Sequence, residues 1–175
     1  MAVDLLIVGA GYTGKRLARA GRERGREVAG TTRSPETVEA LESMGATGLE
    51  WDVTEDEVGA LAEFVGESTD VVYSIPTLYR KYEAGDGEVP RHVAPAKRVL
   101  ELVEDRGARR FIYLSSTSVY GDHDGAWVDE ETPTDPVSPN GKMRRDIEEL
   151  VLDEQWSMAT NVARLVGIYG PGRTM

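Results

Sequence analysis

The run VDLLIVGAGYTGKRLARAG, residues 3–21, constrains the chain more than any other. An apolar stretch sized for one buried strand ends on Gly9, and helix-forming residues resume at Tyr12. A strand that passes through a glycine turn directly into a helix is the first half of a β-α-β unit, which requires a parallel partner strand. Gly9, Gly11 and Gly14 fall in the G-x-G-x-x-G spacing. In that spacing the first glycine makes the tight turn, the second lets a pyrophosphate approach the backbone, and the third lets helix pack on strand. The helix start at Tyr12 and Thr13 offers its unpaired N–H groups to the same anion.

The same alternation continues to the end. Strand patterns at EVAGTT, TGLEWD, DVVYSI, RRFIYLSS and MATNVARLVG are separated by helical patterns. The helix SPETVEALESMG has Ser34 as N-cap, Pro35 at its first position and Gly45 at its end. TEDEVGALAEFVG reads as a third helix, with Thr54 and Glu57 as a capping box. In VPRHVAPAKRVLELVEDRG, residues Val93, Ala96, Val99, Leu100 and Val103 share one face; in NGKMRRDIEELVLDEQ, Met143, Ile147, Leu150 and Val151 do. Residues 1–175 therefore predict one α/β domain with a doubly wound parallel sheet, the Rossmann architecture. Its six strands should run in the order 3-2-1-4-5-6, with helices on both faces.

Composition narrows the function. The formal charge is −11, with 31 acids against 20 bases, and such a surface repels a phosphate backbone, so no nucleic-acid partner is expected. With no cysteine and only His92 and His123, no metal site is expected either. LLIVGA is too short for a bilayer span and has no basic flank, so the reading is cytoplasmic with no membrane partner. Near the end of the second strand such folds carry an acid for a ribose hydroxyl. Here Gly30 or Thr31 takes that position and Arg33 follows. A guanidinium grips a 2′-phosphate that a carboxylate would repel, so NADP is the expected cofactor and NAD the alternative. Thr32 and Ser34 can add hydroxyl hydrogen bonds to that phosphate. Asp52 and Val53 end the third strand, where an acid either receives the adenine amino group or caps the next helix.

RRFIYLSSTSVYGD, VDEETPTDPVSPNGK and VARLVGIYGPGR, in that order after the glycine loop, resemble the extended short-chain dehydrogenase/reductase family of epimerases and dehydratases. The resemblance implies an NAD(P)-dependent oxidoreductase acting on a small molecule, a nucleotide sugar or another hydroxylated metabolite. It places Ser116 at the catalytic serine or threonine, and Ser74, Ile75 and Pro76 along the cofactor wall. The family's PYGxxK motif reads PNGKMR here, so Asn140 stands for the catalytic tyrosine and Arg144 for its lysine. A carboxamide has no usable acidic proton, and arginine stays charged. Lys142 is no substitute, because two residues along a helix turn it about 200° away. Tyr79, Tyr82 and Tyr120 are the local proton candidates. The alternative is a non-catalytic NADP-binding sensor or assembly subunit. The family's substrate domain lies largely beyond Met175 and is expected to be mostly absent. Its dimer uses the helices corresponding to residues 90–106 and 140–155, so a homodimer is expected, with Leu102 off the main stripe as its marker.

Overall fold

A computed structural model describes residues 1–77 and 92–174. The proton candidates Tyr79 and Tyr82, and the start of the fourth helical pattern, lie outside the described residues. Six strands form one parallel sheet: β1 (Leu5–Val8), β2 (Val28–Thr32), β3 (Thr47–Glu50), β4 (Asp70–Tyr73), β5 (Arg110–Ser116) and β6 (Ala159–Leu165). Their order is β3-β2-β1-β4-β5-β6, as the alternating pattern requires. Helices α1 (Tyr12–Glu23) and α2 (Pro35–Ser43) carry the crossovers to β2 and β3. Helices α3 (Ala94–Asp105) and α4 (Pro139–Val151) precede β5 and β6.

Two apolar layers hold the sheet. Leu6, Val71, Phe111 and Tyr113 pack against Val99, Leu100 and Val103 of α3 and Ile147 and Val151 of α4. On the other layer Leu5, Ile7 and Val28 meet Ala18 of α1 and Leu41 of α2. Each such side chain taken fully from water contributes about 1.5–3 kcal/mol. All five residues assigned to the α3 core face are buried, as are Met143, Ile147 and Val151 of α4. Leu150 packs only partly on this core, and so does Leu102, which is therefore not simply a free surface residue.

The third helix differs from expectation. A seven-residue 3₁₀ helix, Val58–Phe64, replaces the longer α-helix; Glu57 stands at its N-cap without a side-chain capping hydrogen bond, and Thr54 lies before it. Asp52 wins the competition for Thr54: its carboxylate accepts from the Thr54 N–H at 2.8 Å and from the hydroxyl at 2.7 Å. The residues meant to open a helix are thus held in a side-chain turn, while the Glu57 carbonyl accepts from the Trp51 indole at 3.2 Å. Strand register brings Val8 beside Tyr73, Tyr73 beside Tyr113 and Ser116 beside Leu165. The carboxyl ends of β1, β4, β5 and β6 therefore open on one edge.

Candidate functional site

The glycine loop lies at that edge, and each glycine answers a different contact. Gly9 has φ +97°, and a Cβ there would lie 2.9 Å from Ile75 Cγ1 and 3.1 Å from the Ile75 nitrogen. A Cβ on Gly14 would lie 2.9 Å from the Gly9 carbonyl oxygen and 3.0 Å from Ile7 Cγ2, so the helix could not sit this close to the strand. A Cβ on Gly11 would meet nothing within 4 Å. It would project into open space beside the start of α1, whose N-cap supplies no side-chain hydrogen bond. Unpaired N–H groups facing a space that only a missing Cβ keeps clear fit a pyrophosphate.

A cavity of about 190 Å³ extends from this loop past Thr32, Arg33, Asp52 and Val53 to Ser74, Ile75 and Pro76. At the end of β2 the cavity is lined by Thr31, Thr32 and Arg33, while Gly30 is not part of its lining. Thr31 is 1% exposed, and its hydroxyl accepts from the Gly9 N–H at 3.0 Å, holding the loop from beneath. Gly30 faces Leu41 and Ala10. Arg33 is 65% exposed and contacts Asp52 at 3.5 Å, the long end of ion-pair range. The Ser34 hydroxyl is occupied as the N-cap of α2, accepting from the Thr37 N–H at 3.3 Å and donating to Glu36 at 2.6 Å. The bond from Ser34 holds the Glu36 carboxyl below its ordinary range.

A second cleft, about 500 Å³, runs from Gly11, Tyr12 and Thr13 to Ser116 and Arg144. Ser116 ends β5, and its Oγ accepts from the Ser118 N–H at 3.2 Å. Asn140 is exposed near the start of α4 and accepts a 3.4 Å hydrogen bond from the Thr77 hydroxyl. Ser138 caps the helix by accepting from the Gly141 N–H at 3.0 Å. Arg144, one turn beyond Asn140, lines the cleft together with Ser116. Tyr113 lies behind this wall; burial pushes its hydroxyl up to about 12, against the pull of the Arg144 cation.

Tyr120 is not placed to exchange a proton here. Its hydroxyl donates to the Asp129 carbonyl at 2.7 Å and accepts from Arg164 Nη1 at 2.9 Å. Arg164 also binds the buried Glu148 at 2.9 Å, tying β6, α4 and the loop between β5 and α4 together. Desolvation works against the Arg164 cation, but hydrogen bonds to Glu148 and Tyr120 outweigh it and raise its pKa. The sequence reading missed this network, since nothing in the pattern of β6 marks a charged residue as inward-facing. It also missed the turn at residues 170–173. The Pro171 carbonyl accepts from Tyr12 at 3.3 Å and from Arg16 at 2.9 Å, and the Arg173 guanidinium lies 5.3 Å from the Tyr12 ring. The GPGR sequence signals a turn, but not its docking on the glycine loop.

No group of three or more potential metal ligands occurs among the described residues. None of their helices is long and apolar enough to cross a membrane.

The model of the NAD dependent epimerase/dehydratase family matches residues 5–175. Protein YeeZ of Escherichia coli K12 is 32% identical over 176 residues, which cover 95% of this chain and 59% of YeeZ. The chain thus spans well under two thirds of that relative's length. The structure of a functionally unknown conserved protein from Silicibacter pomeroyi superposes with a TM-score of 0.71 at 35% identity, over 97% of this chain and 54% of that one. UDP-glucuronic acid 4-epimerase from Bacillus cereus, solved with UDP-glucuronic acid and NAD, gives a TM-score of 0.75 over 97% of this chain and 58% of its own. At 23% identity, that last likeness is one of fold.

Proposed function

The chain belongs to the NAD dependent epimerase/dehydratase family, and from that premise we propose that residues 1–175 form an NADP-binding, epimerase/dehydratase-like oxidoreductase domain. The observation that carries this reading is the Gly11 space at the helix start, continuous with a cavity whose mouth holds Thr32 and Arg33 and no acid at the end of β2. NADP is preferred over NAD because the Arg33 fork can exchange its long contact with Asp52 for a 2′-phosphate. Ser74, Ile75, Pro76 and Val53 supply the wall, and Asp52, already turned toward Thr54, borders the adenosine side. When bound, the nicotinamide would supply hydride chemistry. The chain's part is to hold the dinucleotide and to present Ser116 to a substrate oxygen. A nucleotide sugar or a related hydroxylated metabolite fits this role. The reading includes a cytoplasmic setting and a homodimer through α3 and α4, for which light scattering is the check.

A second reading has its own support. Ser116 and Arg144 line the cleft and Asn140 stands one turn before Arg144; at the positions that the family resemblance gives to the reaction, a carboxamide and a guanidinium replace the acid–base pair. That arrangement favours a non-catalytic NADP-binding sensor or assembly subunit. Turnover separates the two. Asn140→Tyr with Arg144→Lys should raise activity on nucleotide sugars far more than either change alone, because the phenol needs the ammonium to tune it. Robust wild-type turnover that survives Asn140→Ala would refute the assignment of this pair to the chemistry.

A further inference from the structure

The cleft that holds Ser116 and Arg144 has polar and apolar walls, and no carboxylate lines it among the described residues. Arg144 enters it half-buried and makes no ion pair among the described residues. Other arginines that lack a carboxylate, such as Arg98 and Arg106, donate to backbone carbonyls of Val53 and Ala62, whereas Arg22, Arg26, Arg109 and Arg164 each have a carboxylate partner. Behind the wall, Arg144 and the buried Ser115 hydroxyl both approach the Tyr113 hydroxyl, although neither hydroxyl has a partner at full hydrogen-bond geometry. Ser116 accepts one hydrogen bond and keeps its own proton to donate. The cleft's other cation, Arg173, sits against the Tyr12 ring at the phosphate-loop end. It is therefore positioned for the cofactor pyrophosphate, and Arg144 remains for a second anion.

We propose that the ligand bound beside the cofactor carries an anionic oxygen group, a carboxylate or a phosphate, held by the Arg144 fork and the Ser116 hydroxyl. This assignment rests on the dinucleotide reading of the glycine loop. A guanidinium presents parallel N–H donors that match either oxyanion, and a half-desolvated cation is more strongly attracted to an anion than one in bulk water.

The test uses protein saturated with NADP, so that the glycine loop and Arg33 are already occupied. Acetate and inorganic phosphate are titrated separately and followed by calorimetry. At least one should bind, and whichever binds tighter identifies the class of oxyanion. Arg144→Gln should weaken that binding about tenfold to a hundredfold, and Arg144→Lys should restore part of it, keeping charge without the fork. Absence of binding by either anion to the saturated wild type, or equal binding by Arg144→Gln, would overturn the proposal. Failure of NADP itself to bind would sink the dinucleotide reading separately. The same titrations without nucleotide would then judge the anion site by the same dependence on Arg144.

Discussion

Replacing Gly9 and Gly11 by alanine, one at a time, should separate what the loop does for the fold from what it does for a ligand. At Gly9 the backbone has φ +97°, which costs an alanine about 1–2 kcal/mol. Its Cβ would also lie 2.9 Å from Ile75 Cγ1 and 3.1 Å from backbone atoms of Ser74 and Ile75. Backbone gives way poorly, and such overpacking costs about 1–3 kcal/mol. Gly9→Ala should therefore destabilise the domain by roughly 2–5 kcal/mol, read as a lower urea midpoint at unchanged slope. At Gly11 the φ is −71° and the added Cβ meets nothing within 4 Å. Gly11→Ala should stay within about 0.5 kcal/mol of wild type in stability. The methyl group should nevertheless stand where a phosphate approaches, and losing one charge-assisted hydrogen bond there weakens NADPH binding about tenfold or more. Urea unfolding and NADPH fluorescence titration measure both quantities on the same samples. Wild-type NADPH affinity in a folded Gly11→Ala variant would refute the placement of the pyrophosphate, and wild-type stability of Gly9→Ala would refute the steric argument.

Two further outcomes follow from the charge network. Arg164→Met should cost about 3–5 kcal/mol because it strands Glu148, whose side chain is 3% exposed, and adding Glu148→Leu should recover most of that loss in urea unfolding. Burial pushes the Asp70 carboxyl up, but hydrogen bonds from Arg109 and Arg26 outweigh it and hold the folded pKa below the ordinary 3.8. A depressed folded pKa contributes stability that is present above 3.8 and lost as pH falls through the lower folded value. Asp70→Asn should therefore lower the urea midpoint at neutral pH, with the gap to wild type closing in acid; a gap independent of pH would contradict the linkage.

The periodicities in the sequence specified the layers well, because burial of Val99, Leu100 and Val103 on one helix face, or Phe111 and Tyr113 on one strand face, is written directly into residue spacing. The glycine loop was legible from its spacing: Gly14 answers contacts within one β-α unit, with Gly9 and Ile7, although the contacts that demand Gly9 come from Ser74 and Ile75. Most of what escaped the sequence depended on contacts between distant segments, the Thr54 turn being a local exception. Thr31 could be told from Thr32 only once the Gly9 N–H was seen to take the Thr31 hydroxyl. The capping box at Thr54 failed because Asp52, two residues earlier, offered a stronger acceptor. Tyr120 looked available until Arg164, 44 residues later, came to lie on its hydroxyl. The docking of residues 170–173 on Tyr12 spans almost the whole chain and leaves no local trace.

The central claim is that this domain holds NADP with its 2′-phosphate on Arg33. Titration calorimetry with NADP and NAD, on wild type and on Arg33→Ala, tests it most directly. Wild type should bind NADP more tightly than NAD, and Arg33→Ala should weaken NADP about tenfold to a hundredfold while leaving NAD nearly unchanged. Equal affinity of the wild type for the two nucleotides, or an Arg33→Ala variant that keeps its preference for NADP, would contradict the account.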